Sequence, residues 1–101
     1  MPAEMTVELP RRLTLVEVPE VHRANRNLFL SGPIPSQIDL SGIEKSDSSA
    51  LALLIEWQAR AHARDCRIEF TNPPRSLTVL ARLSQASQLL GWDNDTSEDN
   101  R

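Results

Sequence analysis

The sequence is poor in the residues that most often build redox, metal and nucleotide sites. Its one cysteine, Cys66, can form no internal disulfide and has no second cysteine with which to share a metal ion. The two histidines, His22 and His62, form no H-x-x-x-H pair. The three glycines stand apart, and no lysine follows any of them at the spacing of a phosphate-binding loop. These absences exclude a nucleotide-binding enzyme, and we expect the protein to use no metal or other cofactor.

Long apolar segments are also absent. The longest uncharged apolar stretch covers residues 50–55, well short of the roughly 20 residues that a membrane-spanning helix needs. The first residues lack both the basic start and the apolar stretch of a secretory signal, so we expect a cytoplasmic protein. The formal net charge is −3 and the arginines are spread along the chain. This is not the charge pattern of a nucleic-acid-binding protein.

What remains is the composition of an ordinary globular domain. With 101 residues, 40% of them apolar and 25% charged, the chain has enough apolar surface for one core but not for two. We place a single domain at residues 5–92. Residues 93–101 are polar and acidic with nothing to bury, so we predict a disordered tail there.

The spacing of apolar residues predicts alternating strands and helices. Alternation with period two indicates strands, and recurrence every three to four residues indicates helices. Strands are predicted at residues 5–9, 37–40 and 67–71, and helices at residues 19–30, at 48–64 and from 75 to the break at Gly91. This order predicts an α/β fold in which helices cover a small sheet.

A polar motif marks the start of the most regular helix. The letters D-L-S at residues 39–41 end a strand, and D-S-S at residues 47–49 stands where the helix begins. Together they resemble the core signature of STAS domains, named after sulphate transporters and anti-sigma factor antagonists. In that signature a D-L-S strand leads to D-[ST]-x-G-L at a helix N-terminus. Further similar segments, matching the family's first, second and last helices, lie at residues 13–19, 52–57 and 72–83.

The resemblance covers roughly residues 5–92 and has two departures. Family members usually carry glycine where this chain has Ala50. They also have a further N-terminal strand, which precedes the point where this chain begins. The resemblance therefore implies a STAS fold, with a small mixed sheet covered by helices, that lacks the first strand. One sheet edge would then be open to a partner or to a second copy.

By this resemblance the protein works by docking and not by catalysis. The chain is most similar to the small stand-alone STAS subunits of ABC complexes that transport phospholipids and maintain outer-membrane lipid asymmetry. Its partner would then be the cytoplasmic ATPase subunit, through which it would lie at the inner membrane. The alternative is an anti-sigma factor antagonist that binds an anti-sigma factor kinase. In regulated STAS proteins the residue after the aspartate is phosphorylated, and that residue is Ser48 here.

The D-S-S residues also have a purely structural interpretation. Aspartate and serine are preferred helix N-caps. Leu51 stands three residues after Ser48, where a reciprocal capping box would need glutamate or glutamine. One cap is needed and three candidates are present, so we expect Ser48 to lie in the partner interface.

Trp57 has two interpretations of equal weight. It either borders the core or forms an exposed aromatic anchor beside Ser49, Leu53 and Arg60, a residue type enriched at interface centres. The predicted partner-binding residues are Asp47, Ser48, Ser49, Leu53, Trp57 and Arg60. No catalytic or metal-binding residue is predicted.

Overall fold

The computed structural model describes residues 7–92, which contain helices and short strands. In chain order these elements are β1 (Arg12–Leu13), α1 (Val18–Ala24), α2 (Arg26–Leu30), β2 (Gln37–Asp39), β3 (Lys45–Ser46), α3 (Ser48–Ala63), β4 (Glu69–Thr71) and α4 (Arg75–Leu83). The predicted α/β class is confirmed. No helix in this part of the chain is long and apolar enough to cross a membrane.

The strands form two parallel pairs. β1 pairs with β3, and β2 pairs with β4, where Ile38 lies opposite Phe70. Parallel neighbours end at the same edge of a sheet, so the carboxyl ends of β2 and β4 meet. At that edge the side-chain amide of Asn72 donates to Asp39 Oδ1 over 3.1 Å. This bond holds the D-L-S strand against β4.

Helix α3 is the centre of the core because one of its faces is apolar over four turns. The ring of Trp57 stacks on that of Phe29 in α2, with 4.6 Å between centroids and 8° between planes. Its buried residues are Ala50, Leu51, Leu53, Leu54, Trp57, Gln58 and Ala61. A helix packed along its length in this way gives its N-terminus a fixed position on the protein.

Strand β4 forms its backbone ladder with β2. The Glu69 amide donates to the Ser36 carbonyl over 2.9 Å, and the Leu40 amide donates to the Thr71 carbonyl over 2.8 Å. The backbone groups of the alternate residues in β4 therefore point away from β2.

On that far side, side chains take the place of a further strand. Gln58 on α3 accepts from the Ile68 amide over 3.0 Å and donates to the Ile68 carbonyl over 2.8 Å. Trp92 Nε1 donates to the Phe70 carbonyl over 3.1 Å. The Ile68 backbone groups and the Phe70 carbonyl thus have partners. Self-association through a sheet edge stays a prediction.

The first predicted strand is not found in the described residues. Residues 5 and 6 lie outside them, and residues 7–9 are not in a strand. Pro10 has no amide to donate to a ladder, and pairing begins only after it. There the Arg11 carbonyl accepts from the amides of Glu44 and Lys45 over 2.7 and 3.0 Å. β1 and β3 are two residues each, too short for a period to be seen in the sequence.

A single helix at residues 19–30 is also wrong. Asn25 separates α1 from α2, with φ of −109° and ψ of 12°. Its side-chain amide donates to the Val21 carbonyl over 2.9 Å, beside the Asn25 backbone amide, which donates to the same carbonyl over 3.3 Å. This break turns α2 so that Phe29 becomes buried.

The last helix ends at Leu83 instead of continuing to Gly91. Gln85 has φ of +62°, in the left-handed region. The Ala86 amide donates to the Ala81 carbonyl over 2.7 Å and the Gln85 amide to the Arg82 carbonyl over 3.1 Å, the pattern of a Schellman C-cap. No glycine stands at this helix end, so the sequence carries no glycine stop signal there. The predicted tail at residues 93–101 lies outside the described residues.

Candidate functional site

Asp47 closes the N-terminus of α3. Its backbone is extended, and its Oδ1 accepts from the Ser49 amide over 2.8 Å, which satisfies one of the free amides of the first turn. Its Oδ2 accepts from the Leu15 amide over 3.1 Å. One carboxylate thus joins the start of α3 to the segment between β1 and α1.

The hydrogen bonds also determine the ionisation of Asp47. Partial desolvation alone would raise its pKa, but the amides of Leu15 and Ser49 outweigh that effect and hold the pKa below its ordinary value. The group is therefore an anion at neutral pH, as both hydrogen bonds require.

Ser48 is the first residue of α3 and is exposed. Because Asp47 provides the cap, the Ser48 hydroxyl is not needed for it, and this hydroxyl has no hydrogen-bond partner within residues 7–92. Of the three capping candidates in the sequence, the structure uses Asp47. The Ser48 hydroxyl is left facing solvent, where another molecule can reach it.

Residues 14–17 form a compact turn, which the hydrogen bond from the Leu15 amide to Asp47 joins to the start of α3. Thr14 is buried, and both its amide and its hydroxyl donate to Glu17 Oε1, over 3.0 and 2.6 Å. The Val16 amide donates to Thr14 Oγ1 over 3.3 Å. The Thr14 hydroxyl and amide, with a smaller contribution from Arg12, lower the pKa of Glu17. The turn is therefore held by its own side chains.

This turn presents two apolar side chains to solvent. Leu15 is 69% exposed and Val16 is 76% exposed. Together with Leu83 they are the three most exposed large apolar residues within residues 7–92. Isolated exposed apolar residues are common, but two in succession on a rigid turn make a small apolar patch. We refer to Leu15, Val16, Asp47, Ser48 and Ser49 together as the docking surface.

An apolar groove of about 330 Å³ adjoins the docking surface, between α1 and α3. It is lined by Leu15, Val18, Pro19 and His22 on one side and by Ser49, Ala52, Leu53 and Glu56 on the other. None of the seven residues of α1 is buried. The α1 side of α3 is thus only partly covered.

The structure brings together three of the six predicted partner-binding residues. Asp47, Ser48 and Ser49 share the start of α3. Leu53 is buried, with 4% exposure, and lines the groove. Arg60 lies three turns from Ser48, and its Nε donates to Glu56 Oε2 over 2.7 Å, a surface ion pair on one helix.

Trp57 is not an exposed anchor, and that interpretation is wrong. The side chain is fully buried, because the helical period turns it to the same side as Ala50 and Leu54. Phe29 then covers it from α2. The alternative interpretation, that Trp57 belongs to the core, is the one that the structure supports.

Leu15 and Val16 are not among the six predicted partner-binding residues. The sequence does contain a signal, because Thr14 and Glu17 have the spacing of a capping box, a helix-start motif in which a hydroxyl residue and a glutamate three residues later hydrogen-bond each other's backbone amides. In the structure Glu17 accepts from the Thr14 amide and hydroxyl. A turn held in that way has to display the residues between, here a Leu-Val pair.

The site is made of groups that can contact another molecule. Within residues 7–92 no group of three histidine, cysteine, aspartate or glutamate side chains is placed to hold a metal ion. The chemistry on display is an unbonded hydroxyl, a hydrogen-bonded carboxylate and two aliphatic side chains, which suits recognition of another macromolecule.

Comparison with known proteins agrees with this description. The family model described as "Mlab, STAS domain" matches residues 1–91. Neither the curated proteins nor the solved structures gave a match. The family match spans the D-L-S strand, the Asp47 cap and α3. This chain belongs to the MlaB family of STAS domains.

Proposed function

We propose that the protein is a non-catalytic accessory subunit of an ABC-type phospholipid-transport complex and binds the cytoplasmic ATPase subunit through its docking surface. STAS domains are generally non-catalytic, in keeping with this role. The observation that carries the proposal is the exposed, unbonded Ser48 hydroxyl beside the exposed Leu15–Val16 pair, with Asp47 bridging the two.

The docking surface combines an exposed apolar pair with neighbouring polar groups. Burying Leu15 and Val16 against a partner removes apolar area from water, at about 25 cal/mol per Å². The turn is already ordered by Thr14 and Glu17, so binding does not have to order it. A prearranged patch of this kind supports docking at low entropic cost.

Such a subunit changes transport through binding alone. It alters the activity of the ATPase only as far as it binds one conformation or assembly state more tightly than another. Through that partner the protein would lie at the cytoplasmic side of the inner membrane.

The test compares the wild type, Ser48→Arg and Ser84→Arg, with binding and melting temperature measured on the same preparation of each protein. We expect Ser48→Arg to lose binding to the purified ATPase subunit, because a long charged side chain cannot be accommodated in a close contact, while its melting temperature stays near that of the wild type. Ser84→Arg introduces the same charge at an exposed serine at the end of α4 and serves as the control. Full binding by Ser48→Arg would overturn the proposal.

A second candidate is an anti-sigma factor antagonist regulated by phosphorylation of Ser48. The observation that favours it is the same free hydroxyl, accessible to a kinase at the start of a helix. A phosphate there would stand next to the Asp47 carboxylate and repel it. The two candidates are separated by a binding assay with an ABC ATPase subunit and an anti-sigma factor kinase side by side.

A further inference from the structure

The groove between α1 and α3 is small and almost wholly apolar. Its volume of about 330 Å³ is at the lower limit of the roughly 300–1,000 Å³ of small-molecule sites. One charged side chain lines it, Glu56, whose carboxylate is held by Arg60. A space of this size and lining suits one large apolar side chain better than a soluble ligand.

A second groove runs along the other flank of α1 and has a different character. Its volume is about 500 Å³, and three glutamates line it, Glu8, Glu17 and Glu20, together with apolar residues that include Val16. No lysine or arginine is among its lining residues. The two grooves share the exposed turn, since Leu15 lines the first and Val16 the second.

The charges of the second groove are only partly compensated. Glu17 lies 3.5 Å from Arg12, and Glu20 pairs with Arg23. Glu8 is exposed and has no ion pair within residues 7–92. Among the residues that line the second groove, the uncompensated charge is therefore negative, which favours a basic group on whatever covers it.

We infer that the partner segment lies across the first turn of α1. It places one large aliphatic or aromatic side chain in the groove between α1 and α3 and a lysine or arginine against Glu8 in the second groove. This inference rests on the proposed function, because it assigns the chemistry of the segment of the ATPase subunit that binds. Leu15 and Val16 form the ridge between the two contacts.

The first test fills the groove from within. Ala52 is exposed and lines the groove, so Ala52→Phe occupies the space that the partner side chain needs. Ala59 is also exposed, lies two turns further along α3 and does not line the groove, so Ala59→Phe is the matched control. Binding to the purified ATPase subunit is measured by calorimetry. We expect Kd to rise about tenfold or more for Ala52→Phe and to stay unchanged for Ala59→Phe.

The second test concerns the basic contact. We expect Glu8→Lys to raise Kd and to weaken the dependence of Kd on salt concentration, because it removes an attraction and adds a repulsion. Glu69→Lys makes the same change at an exposed position of β4 and serves as the control. Equal salt dependence in Glu8→Lys and the wild type would overturn the basic half of the inference.

The outcomes separate this inference from the proposed function. If Ala52→Phe binds as the wild type does while Ser48→Arg fails to bind, the groove is empty in the complex and the inference is overturned, but the docking surface stands. If Ser48→Arg also binds normally, the proposed function itself fails. Melting temperatures are recorded for every variant, and Ala52→Leu replaces Ala52→Phe if the larger ring prevents folding.

Discussion

Asp47 accepts a hydrogen bond from the backbone amide of Leu15 over 3.1 Å, although 32 positions separate the two residues in the chain. The same carboxylate caps α3 through the Ser49 amide. The start of the helix and the turn that carries Leu15 therefore move as one unit. Thr14 and Glu17 hold the turn in shape, and Asp47 joins that turn to the start of α3.

Removing that carboxylate should affect both stability and binding. We expect Asp47→Ala to lower the free energy of unfolding and to weaken binding of the ATPase subunit about tenfold, since it removes both the cap and the hydrogen bond that joins the turn to α3. Asp47→Asn keeps one acceptor oxygen in place of two, so it can keep one of the two hydrogen bonds and should lie between the wild type and Asp47→Ala. Urea unfolding and calorimetry on the same samples check this, and equal binding by all three proteins would contradict it.

Ser48 should contribute little to stability. Because Asp47 provides the cap, we expect Ser48→Ala to change the free energy of unfolding by less than about 0.5 kcal/mol, the range of ordinary surface substitutions. A loss above about 1 kcal/mol in urea unfolding would show that the Ser48 hydroxyl takes part in the cap after all.

Stability should fall in acid because of three carboxyl groups. Asn72 and Ser41 lower the pKa of Asp39, and the pKa values of Glu17 and Asp47 are lowered as well. A lowered pKa means that the folded state binds protons less readily than the unfolded chain. The stabilisation is therefore complete above the ordinary values, 3.8 for aspartate and 4.5 for glutamate, and is lost as the pH falls through the lowered values.

Urea midpoints measured between neutral pH and strong acid check this dependence. We expect the midpoint to decline only below the ordinary carboxyl range, and the decline to be smaller in Asp39→Asn, which removes one of the three groups. A midpoint that rises in acid would contradict the assignment.

Trp57 should matter for stability and not through an exposed contact. We expect Trp57→Ala to cost about 3–5 kcal/mol, because it leaves a large cavity opposite Phe29. Trp57→Phe should cost less, since it keeps an aromatic ring on Phe29 and removes a buried indole nitrogen that has no hydrogen-bond partner within residues 7–92. Thermal unfolding of both variants checks the order, and a Trp57→Ala protein as stable as the wild type would contradict it.

Gln58 should contribute as much to the free energy of unfolding as an apolar core residue does. Gln58→Leu keeps the size of the side chain but leaves the buried amide and carbonyl of Ile68 unpaired, so we expect a loss of about 2–5 kcal/mol. Gln88→Leu, at an exposed position, should be nearly neutral and is the control. Similar unfolding curves for the two variants would show that Gln58 is dispensable.

The sequence predicted the parts of the fold that depend on local chemistry. The helix at residues 48–64 was expected from its strong helix formers, and α3 spans Ser48–Ala63. The D-L-S and D-S-S motifs led to the family, which the match over residues 1–91 confirms. Cap and strand motifs are local, so they can be recognised without knowledge of what packs against them.

The features that the sequence did not predict depend mainly on contacts between distant segments or on backbone conformation. The burial of Trp57 depends on where α2 lies, and that depends on the break at Asn25. The bond between Asp47 and the Leu15 amide joins a side chain to a backbone group 32 positions away and leaves no trace in the spacing of residues. The end of α4 at Gln85 uses a left-handed residue other than glycine, which composition does not signal.

The pair of hydrogen bonds between Gln58 and Ile68 has a consequence for the limits of the sheet. A glutamine side chain ends in the same donor and acceptor as a peptide unit, so α3 supplies the β4 side with an imitation of one residue of a neighbouring strand. Unsatisfied strand edges recruit other chains and promote aggregation. Because the Gln58 side chain already pairs with the Ile68 amide and carbonyl, a neighbouring molecule has no free peptide group at Ile68 with which to form a new strand.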